Sequence, residues 1–133
     1  MSNQMFAVAT TAFCFVMTGA YAMTKSEYDV AKQKIESEYS VSKTKCETLK
    51  DNAKDVCMKR AKGTEEVAKA ELEQQYKPSA SNARKVSEEK AKMTYEVAKE
   101  KCDEQTGDSK AACVDQAKAN YDKAKASIEA KKS

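Results

Sequence analysis

Two pairs of cysteines constrain this chain more than any other feature. Cys46 and Cys57 bracket ETLKDNAKDV, Cys102 and Cys113 bracket DEQTGDSKAA, and both pairs lie between Ala- and Lys-rich flanks. The second pair stands 56 positions after the first. The register extends beyond the cysteines: Val30, Lys34, Tyr39, Val41, Ala61 and Lys69 recur as Val86, Lys90, Tyr95, Val97, Ala117 and Lys125. Biased composition supplies chance matches of Ala and Lys but not two cysteines and a tyrosine in register, so the chain reads as a tandem duplication.

Each copy has helical periodicity. Tyr28, Ala31, Ile35, Tyr39, Ser42, Cys46 and Leu49 follow at intervals of three and four, which marks one face of a helix from about Lys25 to Lys50. A bend is expected at Lys50-Asp51-Asn52, after which Cys57, Ala61, Thr64, Ala68, Leu72 and Gln75 or Tyr76 continue the stripe, with Gly63 a weak point in that helix. Pro78 stops it, and Ser79 or Ser81 can cap the next. In the second copy Ser87, Ala91, Tyr95, Ala98 and Cys102 precede Thr106-Gly107-Asp108-Ser109, and Cys113, Ala117, Asn120 or Tyr121, Ala124 and Ile128 follow it. Four helices result, and the fold class is all-α.

Residues 1 to 22 carry no charge and hold a largely apolar run that ends in Ala20-Tyr21-Ala22, an A-x-A cleavage pattern. They read as a signal peptide cut after Ala22, although MSNQ lacks the usual basic residue; Cys14 is a passenger in the run. Residues 23 to 78 then form the first hairpin repeat and 79 to 133 the second. Cleavage leaves four cysteines, an even number in an exported chain, where thiols pair. Helix-turn-helix geometry favours Cys46 with Cys57 and Cys102 with Cys113, which clasps each hairpin near its bend and stabilises a chain with little core. Packing the hairpins as an up-down four-helix bundle, or pairing them with another chain in self-association, would bury the narrow Ala, Tyr and Cys stripe. A rival register remains: a helix unbroken through each cysteine pair would give one long antiparallel hairpin bent at Pro78, with Cys46 facing Cys113 and Cys57 facing Cys102. Gly107 between Thr106 and Asp108 favours the two-hairpin form.

Charged residues are 34% of the chain and sum to only +3. Acidic and basic residues are interleaved, as in Asp29 with Lys32, Glu47 with Lys50, Glu66 with Lys69 and Glu96 with Lys99, so no basic patch for nucleic acid emerges. Histidine is absent and the cysteines lack the CxxC spacing of zinc and redox sites, so neither metal, cofactor nor catalytic residue is expected. Tyr28, Tyr39, Tyr95 and Tyr121 each open a Y-x-x-x-K unit on or beside the stripe. They serve as packing residues or as aromatic anchors for a partner.

With its leader, the Y-x-V-A-K units, AKDVC at 53 to 57, VAKAELEQQYKPS at 67 to 79 and YEVAKEKCDEQTG at 95 to 107, the chain resembles a group of small exported Gram-negative proteins often labelled TolA-like. The resemblance implies an envelope location and a helical fold, and carries over no catalytic residue. The expected protein is therefore periplasmic, coiled-coil-like and non-catalytic, without a membrane anchor after cleavage. It would act by contact with an envelope or periplasmic protein. The alternatives are a stress-type chaperone holding unfolded clients and, ranked lower, a metal binder using clustered carboxylates.

Overall fold

The computed structural model describes residues 22–131. The expected leader lies outside them except for Ala22, and Cys14 lies outside them altogether. Four helices follow in order: α1 (Lys25–Glu47), α2 (Asp51–Tyr76), α3 (Ala80–Cys102) and α4 (Gly107–Ala130), with no strand among the described residues.

Local sequence explains where they begin. Thr24 opens α1 with a capping box: its hydroxyl accepts from the Glu27 amide at 3.2 Å, while the Glu27 carboxylate accepts from the Thr24 amide at 2.8 Å. Ser79 caps α3 by accepting from the Asn82 amide at 3.0 Å. The Asn82 side chain also donates to the Lys77 carbonyl at 2.7 Å, fastening the turn around Pro78.

The bends fall slightly earlier than the composition implied, at 48–50 and 103–106, and the two are equivalent. Leu49 N donates to Cys46 O and Gln105 N to Cys102 O, each at 3.0 Å. Asp51 (φ 52°) and Gly107 (φ 58°) occupy the same place in the repeat, as the first residues of α2 and α4. Gly107 therefore starts a helix. Glycine adopts this left-handed conformation freely, and aspartate is among the few other residues that tolerate it. A Cβ at Gly107 would meet nothing within 4 Å, so Gly107→Ala isolates the backbone cost. We expect a loss of about 1–2 kcal/mol in equilibrium unfolding.

The helices run up-down-up-down, and disulfides join Cys46 to Cys57 and Cys102 to Cys113 with Cα separations of 5.4 and 5.6 Å. The two-hairpin form is thus the correct one, and the long-helix rival is excluded. The hairpins also pack on each other, through α2 and α3. Contacts join only α1 with α2, α2 with α3 and α3 with α4. Among the described residues α1 does not meet α4, so the helices form an open row whose up-down order does not close on itself.

That row explains the burial. Ala61, Glu65 and Leu72 lie on one face of α2, whereas Gly63, Val67 and Ala70 lie on the opposite face. The first face takes α1 and the second takes α3. Consequently α2 carries most of the core, while α1, α3 and α4 each bury a single residue: Cys46, Cys102 and Ala117. At the α2–α3 crossing Met93 lies against Gly63, and Lys59 pairs with Glu96 and Lys90 with Glu71 at 3.6 and 2.7 Å on either side.

Candidate functional site

The repeat allows the two hairpins to be compared position by position, and they treat the same groove differently. Between α1 and α2 a groove of about 380 Å³ is floored by Ala61 and Ala68 and bordered by Tyr39. Between α3 and α4 the equivalent groove, about 440 Å³, is floored by Ala117 and Ala124 and walled by Tyr95 and Tyr121. The alanines that let the helices approach leave these channels.

In the first hairpin the groove is answered by charge. Glu65, only 7% exposed, receives Lys69 at 2.7 Å and Lys62 at 2.9 Å. Burial alone would raise the Glu65 pKa, but the two ammonium groups outweigh it and hold the carboxyl below the usual range. Lys62 is correspondingly raised, by hydrogen bonds to Glu66 and then Glu65, and its ammonium lies 5.5 Å from the Tyr39 ring centroid. Because the folded pKa of Glu65 is depressed, the stability it lends is complete above the unfolded carboxylate pKa. It is lost as pH falls through the folded value. Glu65→Gln should therefore destabilise the protein at neutral pH and flatten the loss of stability below about pH 4, as read by urea unfolding across an acid series.

In the second hairpin the residue equivalent to Glu65 is Tyr121. Its ring stacks on Tyr95 with centroids 4.9 Å apart and planes 14° from parallel. The two lysines recur: Lys118 pairs with Asp122 at 2.8 Å, and Lys125 lies 5.2 Å from the Tyr121 centroid. Both tyrosines remain half-buried, each offering part of a ring to the groove.

The open ends differ in the same sense. In the first hairpin Tyr28 packs on Tyr76, with centroids 4.6 Å apart, and donates its hydroxyl to Glu73. Hydrogen bonding to Glu73 and burial raise the Tyr28 pKa. The second hairpin has Arg84 in place of Tyr28. There a space of about 460 Å³ opens, bounded by Ala80, Ala83, Arg84 and Ile128, and it shares Ser87, Ile128 and Lys131 with the α3–α4 groove. A continuous channel therefore runs along α3 and α4.

Of the four tyrosines singled out from sequence, Tyr95 and Tyr121 come together, while Tyr28 and Tyr39 pack within the first hairpin. Sequence reasoning set Gln75 or Tyr76 at the end of the stripe without the Tyr28–Tyr76 contact, and it missed the buried Glu65. The ion pairs also differ from those expected: Asp29 pairs with Lys25, Glu66 with Lys62 and Glu96 with Lys59, in place of Lys32, Lys69 and Lys99. No group of three or more His, Cys, Asp or Glu among the described residues is placed to hold a metal ion. No helix among them is long and apolar enough to cross a membrane. No protein-family model, curated protein or solved structure matches this chain.

Proposed function

We propose that this chain is a non-catalytic helical protein of the cell envelope that works in the periplasm by contact, holding a segment of a partner protein in the channel along α3 and α4. The observation that carries this reading is the stacked Tyr95–Tyr121 pair over an alanine floor. Half-buried aromatic rings beside small residues supply apolar area with little entropy to lose, as in the anchors of protein interfaces. Arg84 and Lys131 border the channel and favour a partner segment with acidic residues beside its apolar ones. Two disulfides in so small a chain suit an oxidising compartment, and the expected leader supplies the route to it.

The test is site-specific photo-crosslinking in intact cells from Thr94 and Asn120, exposed residues on the channel's rim, with Ala119 outside it as the control. One dominant envelope protein should be captured from the rim and not from the control. Tyr121→Ala should weaken that capture at least about tenfold. A broad set of unfolded envelope proteins would instead establish the chaperone reading. Equal capture from rim and control would overturn the role of the channel.

A further inference from the structure

The inner and outer faces of the row are related by the repeat, and one outer face is unfinished. On α3, Val86, Lys90, Met93 and Val97 lie on the face that packs against α2, where Met93 meets Gly63 and Lys90 pairs with Glu71. The equivalent positions on α1 are Val30, Lys34, Ser37 and Val41. Among the described residues no helix covers them: Val30 is 65% exposed and Val41 52%, whereas Val86 and Val97 are half-buried. The same chain thus shows how such a face is covered, by an antiparallel helix.

We infer that the outer face of α1 is a self-association surface, on which α1 of a second copy of this chain packs antiparallel. The charges select this occupant. Along one flank of the valines run Glu27, Lys34, Glu38 and Lys45; along the other are Ser26, Gln33, Ser37 and Thr44, all uncharged. Acid, base, acid, base at these positions is antisymmetric about residue 36. A two-fold axis there brings Glu27 to Lys45 and Lys34 to Glu38 of the second copy, twice each, while Val30 meets Val41. Parallel pairing would set this charged flank against the uncharged flank of the second copy and form none of these pairs. Within one chain Lys34 and Glu38 approach only to 3.8 Å and are 75% and 66% exposed, so both are free to pair outward. Glu27 is exposed and bonds Thr24 through one carboxylate oxygen, Oε2. Ser37, standing where α3 has Met93, removes bulk beside the axis and lets the helices approach.

The far end of the row does not offer the same site. Lys123 on α4 stands where α2 buries Val67, so stacking α4 of one copy on α1 of the next would press Lys123 toward Lys34. The assembly therefore closes as a dimer and does not extend as a fibre. This surface lies on the opposite hairpin from the α3–α4 channel and does not depend on the role proposed for it.

The test uses the oxidised chain from residue 23 and sedimentation equilibrium over a concentration series. A single helix-helix contact predicts a weak, salt-sensitive dimer, with Kd on the order of 10 µM to 1 mM. Val41→Lys should weaken it at least tenfold. Lys34→Glu and Glu38→Lys should each weaken it several-fold, and the two together should restore it to within about threefold of the unaltered chain, all three keeping the parent helicity because both sites are exposed. A chain that stays monomeric to millimolar concentration would overturn the inference, as would a dimer unaffected by Val41→Lys or a charge exchange that fails to restore association.

Discussion

Replacing Cys102 and Cys113 together by serine is expected to lower unfolding stability by about 3 kcal/mol and to release α4 while α2 and α3 stay folded. The size follows from the loop that the bond closes, a span of 11 residues, which the unfolded chain must otherwise gather at an entropic cost. The location follows from the row. Among the described residues helix α4 touches α3 alone and buries only Ala117, so little besides the bond, the Lys110–Asp103 ion pair and the Tyr95–Tyr121 stack holds it in place. The α2–α3 contact has Met93 over Gly63, two flanking ion pairs and the buried Val67 and Ala70. Hydrogen exchange should therefore show α4 amides losing protection first while α2 amides keep theirs. Uniform loss of protection in all four helices would mean that the row folds as one cooperative unit.

The second large effect is at Gly63. In an exposed helix interior, Gly to Ala gains about 1 kcal/mol. Here the sign should reverse, because an added Cβ would sit nearest to Met93 Cγ and 2.8 Å from Met93 Cβ, whose place is set by the α3 backbone. Gly63→Ala is expected to cost about 1–3 kcal/mol, and Gly63→Val more, through forced separation of α2 and α3. Shortening the opposing residue removes the conflict, so Met93→Ala should cost less in the Gly63→Ala background than alone. Four equilibrium unfolding curves measure that coupling, and simple additivity would show that the two residues do not share the crossing.

Gly63 also shows what the sequence did and did not make legible. The stripe through Cys57, Ala61, Ala68 and Leu72 was visible as the face toward α1, and the duplication made the cysteine pairing readable. Gly63 reads as a weak point as long as α2 is given a single buried face. Val67 and Ala70 follow it at intervals of four and three, which is the signature of a second buried face and would have revealed that α2 lies inside a row. The bends were legible to within a few residues. Their left-handed residues, Asp51 and Gly107, were placed in the bends when they in fact open α2 and α4, because capping and helical conformation overlap there. For the channel, the tyrosines were legible as a group but their division was not. Tyr28 and Tyr39 engage Tyr76 and Lys62, and only Tyr95 and Tyr121 stack on each other, an outcome fixed by whether position 65 or its repeat at 121 holds Glu or Tyr. Ion-pair partners were not legible, since a lysine reaches carboxylates three or four residues away in either direction, and across to the next helix, at similar energy.

Two separately clasped hairpins underlie both the row of helices and its channel, and peptide mapping without reduction tests them most directly. Tryptic cleavage separates the four cysteines into CETLK, DVCMK, CDEQTGDSK and AACVDQAK. Protein isolated from cells, alkylated at once and digested should yield CETLK joined to DVCMK and CDEQTGDSK joined to AACVDQAK. CETLK joined to AACVDQAK would contradict the row of helices, and with it the channel along α3 and α4.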